Sequence, residues 1–137
     1  MSTPAQTWLE AFIAQHGAVA GTVHHRVDEQ NLELAAAVNI PPKVVEIVQR
    51  IPRGKGMAGI AFDTDQPVST CNIKDDNTGR VRPGAKDVGA QAAVALPVHD
   101  AAGAVRAVVG IAYREQRELT ESELATLARD AAALPAR

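Results

Sequence analysis

The chain has little cysteine, few aromatic residues and no excess of charge of one sign. Cys71 is the single cysteine among 137 residues, which excludes an internal disulfide and any metal site built from paired cysteines. Aromatic residues make up only 3% of the sequence although hydrophobic residues reach 46%, so small aliphatic side chains must form most of the core. A net charge of −2 provides no basic face for nucleic acid, and we expect no direct contact with DNA or RNA.

Long apolar runs are also lacking. No stretch approaches the roughly 20 consecutive apolar residues that span a membrane, and residues 1–10 have neither the basic start nor the apolar run of a signal peptide. These absences predict a cytoplasmic protein that does not contact the membrane. The length suits one domain, so residues 1–137 are interpreted as a single domain.

Apolar residues at helical spacing predict three helices with clear ends. An N-terminal helix covers about residues 4–16, and a C-terminal helix covers about residues 120–134, beginning with a capping box at Thr120. Between them, a third helix is predicted from Pro41 to Pro52, with Ile51 as the last residue of its apolar stripe.

Five segments have the composition and flanking turns of strands. They are residues 18–27, 32–38, 66–70, 92–98 and 104–113. The first two and the last two form hairpins, and Pro67 favours an edge position or a strand start for the middle one. Because alternating βαβ units are absent, the pattern predicts an α+β domain with a central antiparallel sheet and helices packed on it.

Gly54, Gly56 and Gly59 match by letter the Gly-x-Gly-x-x-Gly pattern of dinucleotide-binding loops. In those loops the glycines follow a strand and open the crossover helix of a βαβ unit. Here a predicted helix and Pro52 precede them. We therefore interpret the cluster as a tight turn that lets a short helix, ending near Asp63, approach the sheet.

The four histidines show no metal-ligand spacing. His24 and His25 are adjacent, and neighbours in a strand point to opposite faces of the sheet, so the two cannot readily share one metal ion. We expect hydrogen-bonded or solvated histidines and assign no metal site.

The segment from Cys71 to Ala90 is polar, contains glycine and has no sustained periodicity. It is longer than an ordinary connection, and connections of that kind are functional or disordered. Basic residues near Cys71 in sequence would activate its thiol if they converge in space, but no histidine is nearby to act as a base. A small buried cysteine is favoured over a nucleophile.

The order of these segments resembles the GAF family. The matching pieces are IPRGKGMAGIA from Ile51, QPV from Gln66, the polar segment, VALPV from Val94 and, after Gly103, VGIA from Val109. The resemblance covers about residues 18–127. It implies a central antiparallel sheet with both terminal helices on one face and a ligand pocket on the other.

Free methionine-R-sulfoxide reductases are an enzyme branch of that family. They carry a cysteine in the glycine-rich segment, where this chain has Ala58, and further cysteines in the following loop. With Cys71 alone, exchange between an attacking and a resolving thiol cannot run within one chain. The resemblance therefore favours a small-molecule-binding sensory domain over a thiol-dependent enzyme that uses Cys71, and no catalytic residue is assigned. A ligandless dimerisation or interaction module is the other alternative.

We expect the implied pocket to bind a small molecule that the sequence does not identify, and no cofactor is specified. The predicted lining combines apolar side chains with polar residues of the long segment: Met57, Phe62, Val68, Cys71 and Val94, with Asp76, Arg80, Arg82 and Gln91. Because Arg80, Arg82 and Lys86 outnumber Asp87 there, an anionic ligand is favoured.

The terminal helices carry more apolar residues than one sheet face of a small domain should need. These residues are Trp8, Phe12, Leu124, Leu127 and Leu134. We therefore predict a homodimer that forms through the end helices.

Overall fold

The computed structural model describes residues 3–70, 92–115 and 118–136. The described elements are, in chain order, α1 (Pro4–His16), β1 (Ala20–Arg26), β2 (Asn31–Val38), α2 (Pro42–Ile47), β3 (Arg50–Pro52), α3 (Gly56–Thr64), β4 (Val68–Thr70), β5 (Ala92–His99), β6 (Val105–Tyr113) and α4 (Glu121–Ala131). The strands form one six-stranded antiparallel sheet in the order β3-β2-β1-β6-β5-β4, and both predicted hairpins are confirmed.

α1 begins and ends where its capping residues predict, and α4 begins where its capping box predicts but ends at Ala131, before the predicted residue 134. The hydroxyl of Thr3 accepts a hydrogen bond from the amide of Gln6 at the start of α1, and Gly17 ends that helix in the left-handed conformation. In α4, the side chains of Thr120 and Glu123 bond each other's backbone amides, so the predicted capping box is confirmed.

The third predicted helix is wrong over its second half. α2 ends at Ile47, and residues 50–52 form the edge strand β3, in which Ile51 pairs with Leu32 of β2. Three residues are too few to show strand periodicity, and Ile51 also fits the helical spacing of the stripe before it. Pro52 is tolerated because it lies on an edge strand, where its missing amide hydrogen leaves no ladder bond unmade.

The sheet has two differently covered faces. The terminal-helix face packs against α1 and α4 and holds a large core cluster that includes Val23, Leu96 and Val109. The α3 face packs against α3 and holds a smaller cluster that includes Leu32, Phe62 and Val108. The prediction that the helices of both termini share one face is confirmed.

The apolar surplus from which the homodimer was predicted is not observed. Phe12, Leu127 and Leu134 are buried in the terminal-helix core, and Trp8 and Leu124 pack against it half-buried. The rings of Trp8 and Phe12 stack with their centroids 4.8 Å apart. One short terminal helix at each end of the chain uses these side chains to cover a single face.

Two long polar side chains fix the terminal segments to the sheet. Gln6 of α1 donates to the carbonyl of Ala37 and accepts from its amide, so the side chain pairs with β2 as a neighbouring strand would. Arg106 of β6 donates to the carbonyl oxygens of Leu134 and Pro135 just beyond α4. The sequence does not predict either contact, because Gln6 and Arg106 have the pattern of ordinary polar surface residues.

Candidate functional site

The α3 face brings together three of the predicted lining residues. Phe62 and Val68 are buried in its cluster, and Met57 packs against it half-buried. Val94 does not join them, because strand alternation turns this side chain to the terminal-helix face, where it packs with Ile111. Its neighbours Ala93 and Ala95 point to the α3 face instead.

The remaining predicted residues of the pocket lie outside the described residues. They are Cys71, Asp76, Arg80, Arg82 and Gln91. The residues that flank the segment are described: Thr70 at the end of β4 pairs with Ala93 near the start of β5. The chain therefore leaves and re-enters the sheet at one end of the α3 face.

The glycine cluster has the structural role expected of it. A Cβ on Gly59 would lie 2.5 Å from the carbonyl oxygen of Pro52, so only glycine lets α3 pass this close to β3. Gly54 and Gly56 have φ angles of 84° and 66°, which other residues adopt at a cost. The amide of Gly54 donates to the carbonyl of Gly59 and closes the turn. The three glycines thus dock α3 on the sheet.

Arg53 also holds α3 in place. Its guanidinium lies 4.0 Å from the ring centroid of Phe62, donates to the carbonyl of Glu29 and approaches Asp63 at 3.7 Å. One side chain thus joins the β1–β2 turn to α3 and covers one face of the Phe62 ring. Phe62 is accordingly a packed wall of the site, with part of its surface already occupied.

Strand β1 supplies polar groups to the α3 face that the sequence analysis did not single out as site residues. Thr22, His24 and Arg26 alternate toward this face, because Thr22 lies opposite Gly110 and His24 lies opposite Val108. Nε2 of His24 lies 2.9 Å from the carbonyl oxygen of Val48, in hydrogen-bonding contact. His25 points to the other face, opposite Ala107, as predicted for adjacent strand residues. The sequence signal for these residues is the alternation of side chains along β1. Once one residue of β1 is assigned to a face of the sheet, alternation assigns the others.

Small side chains cover the part of the α3 face nearest the end of β4 and the start of β5. Gly110 and Ala112 of β6 lie beside Ala93 and Ala95 of β5, and Thr22 borders them on β1. All of these except Ala95 are only half-buried, although they belong to three of the four inner strands of the sheet. We call these five residues the small-residue floor. Gly110 has room above it, since a Cβ there would meet nothing nearer than the Thr22 hydroxyl at 3.4 Å.

Within the described ranges, no group of three or more histidine, cysteine, aspartate or glutamate side chains could hold a metal ion. In the same ranges no helix is long and apolar enough to cross a membrane. Among the described residues, the polar groups of the α3 face include the hydroxyl of Thr22, the imidazole of His24 and the guanidinium of Arg26.

The sheet order and the helix layers define an α+β domain. The family model for the GAF domain matches residues 5–134, and the chain belongs to that family, whose members have sensory and regulatory roles. No protein of curated function matches the chain in sequence.

Solved structures agree with the fold. The type II free methionine-R-sulfoxide reductase of Thermoplasma acidophilum is similar with a TM-score of 0.73 and 17% identity, over 94% of this chain and 87% of that one. The GAF domain of an Acinetobacter phosphoenolpyruvate-protein phosphotransferase is similar with a TM-score of 0.69 and 15% identity, over 95% and 78%. At these identities the likeness shows the fold alone.

Proposed function

We propose that this GAF domain is a sensory module that binds a small molecule on the small-residue floor of the α3 face. The observation that carries the proposal is the half-buried state of Thr22, Gly110, Ala112 and Ala93 on central strands. Their neighbours on the opposite face, such as Val109 and Ile111, are fully covered by the terminal helices. A central strand that is covered on one face and accessible on the other leaves room for a ligand.

The shape of the floor and its polar border suggest how a ligand would be held. Glycine and alanine contribute no bulk, so a flat apolar group can lie directly on the strands, and the Thr22 hydroxyl can give or accept a hydrogen bond at its border. Met57 and Phe62 of α3 stand beside this surface as the apolar wall. Binding would favour one arrangement of the layers packed on the sheet, and the terminal helices on the other face would transmit that preference.

Finer features of the function remain predictions. An anionic ligand is favoured by Arg80, Arg82 and Lys86 of the long segment, and Arg26 adds one cation on the α3 face. A homodimer and a cytoplasmic location are predicted from the sequence, although the apolar surplus proposed for the dimer is buried. Sedimentation at high protein concentration tests the dimer, because a monomer there contradicts it.

Native mass spectrometry of the purified protein, with extraction and identification of any bound small molecule, tests the binding proposal. The variant Gly110→Val fills the floor while keeping a residue that suits a strand. We expect the wild-type protein to retain a small molecule, or to be stabilised by one in a thermal-shift screen, and Gly110→Val to lose that response. The control is Ala101→Val, which adds bulk in the exposed β5–β6 turn and should bind as the wild type does.

If the wild type carries and binds nothing, or if Gly110→Val binds as well as the wild type, the proposal is wrong. The first result would instead favour the ligandless interaction module. Circular dichroism and thermal unfolding of Gly110→Val separate loss of binding from loss of fold.

A thiol-dependent reductase that uses Cys71 is the alternative that the resemblance to the reductase branch leaves open. Ala58, the position where the resemblance implies a cysteine in that branch, lies in α3 and packs half-buried on the α3 face. Turnover of free methionine-R-sulfoxide with a thiol reductant, lost on Cys71→Ser, would establish this function. No turnover above background leaves the binding module as the proposal.

A further inference from the structure

His16 and Asp130 meet between the two terminal helices. His16 is the last residue of α1, and Asp130 lies in the last turn of α4. Nε2 of His16 lies 3.0 Å from Oδ2 of Asp130, and the two side chains are only 14% and 21% exposed. Nε2 itself is buried from solvent, yet it makes no aligned hydrogen bond. The two groups are close enough for an ion pair but are not oriented for a neutral hydrogen bond.

This geometry makes the strength of the contact depend on the charge of the imidazole. A hydrogen bond weakens steeply when its angle is poor, so a neutral imidazole gains little from this carboxylate. The attraction between imidazolium and carboxylate depends mainly on distance, and it is larger for partly buried groups than for exposed ones. The imidazole of histidine changes its charge between about pH 5 and pH 8.

The helix ends increase this dependence. A cation is favourable at the C-terminus of a helix, where His16 lies, whereas the carboxylate of Asp130 is unfavourable at the C-terminus of α4. Protonation of His16 therefore offsets an unfavourable charge on the other helix. We propose that His16 and Asp130 form a protonation-dependent clasp that holds α1 to α4 tightly when His16 is charged and loosely when it is neutral.

Other charged groups near the clasp act on it weakly. Gln15 donates to Oδ2 of Asp130 at 3.3 Å, and Arg129 approaches Oδ1 at 3.5 Å with its own side chain 76% exposed. Such an exposed cation is screened by water and contributes little. The other ionisable groups described on α1, α4 and the sheet face beneath them include Glu10 and Glu121, which are exposed, and Glu123 in the capping box. On the sheet face itself they are His25, Tyr113, the exposed Glu33 and Arg50, and Arg106 on the carbonyls of Leu134 and Pro135.

A second histidine–aspartate pair in the same chain provides a matched control. Nε2 of His99 forms a hydrogen bond of 2.5 Å with Oδ1 of Asp65, joining the end of β5 to the end of α3. This pair is aligned, and its side chains are 43% and 48% exposed. Because water screens the charges of this exposed pair, its coupling should vary less with pH.

The test is a double-mutant cycle of His16→Gln, Asp130→Asn and the double variant, measured by urea unfolding at roughly pH 5.5 and pH 8, on either side of the imidazole range. We expect the coupling, expressed as a ratio of unfolding equilibrium constants, to be about fivefold larger at the lower pH, within the range that contacting pairs show. The parallel cycle of His99→Gln and Asp65→Asn should change less than about twofold.

A coupling that is equal at the two pH values, or a control cycle that changes as much, would overturn the clasp. If His16→Gln or the double variant does not fold, the double-mutant cycle is replaced by hydrogen exchange of the α1 amides, measured in the wild type and in Asp130→Asn. Protection of the last turn of α1 should then differ between the two proteins at the lower pH and agree at the higher pH. The proposal does not depend on any ligand, so it can fail while the binding function holds.

Discussion

Alternate side chains of strand β1 point to the two faces of the sheet. Toward the terminal helices it presents Gly21 and Val23, and a Cβ on Gly21 would lie 2.7 Å from the carbonyl oxygen of Gly110 and 3.0 Å from Cδ1 of Ile13. Toward α3 it presents Thr22, His24 and Arg26. The first set lets α1 pack closely, whereas the second contributes hydroxyl, imidazole and guanidinium groups.

The difference between the faces concerns coverage. Two capped helices lie over the terminal-helix face and bury a contiguous aliphatic core that extends across the sheet. In the part of the chain that the structure describes, the α3 face has the nine-residue helix α3 over its cluster, and the floor around Gly110 is half-buried. Tight coverage of the terminal-helix face stabilises the fold. We therefore expect the terminal-helix face to be the less tolerant of substitution.

The largest effect should come from a matched pair of truncations in β6. Val108 and Val109 are adjacent and fully buried, but Val108 faces α3 and Val109 faces the terminal helices. We expect Val109→Ala to lower the free energy of unfolding by about 2–3 kcal/mol and Val108→Ala by about 1–2 kcal/mol, because α3 can settle into the space left behind. Urea unfolding measures both, and equal losses would remove the difference between the faces.

Crowding at α3 should have the next largest effect. Gly59→Ala places a Cβ against the carbonyl oxygen of Pro52, which backbone movement alone can relieve, so we expect a loss of about 2 kcal/mol. Gly103→Ala is the control, since a Cβ there meets no atom within 4 Å and only its φ of 87° is unfavourable. If the two variants lose the same free energy of unfolding, the close approach of α3 to β3 is not the reason why residue 59 must be glycine.

Removal of a helix cap should cost less. Thr120→Ala deletes the hydroxyl that accepts from the amide of Glu123, and we expect a loss of about 1 kcal/mol. Thr120→Ser keeps the hydroxyl and should behave as the wild type in thermal unfolding. The prediction fails if Ala and Ser variants are equally stable. The stability lost on Thr120→Ala therefore measures how much the capping of α4 contributes to the terminal-helix face.

The smallest effect concerns the turn that the two faces share. The amide of Gln30 donates to the carboxylate of Asp28 at 2.8 Å and holds the pKa of that carboxyl below its usual range, with a further contribution from Asn31. A lowered pKa means that the stabilisation is present above the ordinary carboxyl range and is lost as the pH falls through the lowered value. An NMR titration of the Asp28 carboxyl tests the direction, and Asp28→Asn should reduce the acid dependence slightly.

The sequence was sufficient for the elements with strong local signals. Thr3 and Gly17 determine the ends of α1, the Thr120 capping box begins α4, and the two hairpins follow from apolar segments separated by turn residues. The GAF family also follows from the order of these segments, as the match over residues 5–134 confirms. Local chemistry near each boundary was enough in all of these cases.

The failures have a common physical origin in contacts that are distant in sequence. Ile51 satisfies the helical spacing of α2, and only its partner Leu32 shows that it belongs to a strand. Val94 is as hydrophobic as a pocket residue should be, but the register with Ile111 places it on the other face. Apart from Thr22, the floor residues are alanine and glycine, which carry no chemical signal, so their place on the α3 face appears only when the strands are paired.

The contact of Gln6 with Ala37 has a consequence for how the molecule behaves among other copies of itself. β3 covers only the first residues of β2, and the amide of Leu34 is satisfied by the carbonyl of Gln49. Farther along, the side-chain amide of Gln6 occupies both the donor and the acceptor of Ala37, which would otherwise offer a template for a strand from another chain. α1 thus also protects this edge of β2 from pairing with another chain. We expect a chain that lost α1 to expose the amide and carbonyl of Ala37 and to aggregate more readily.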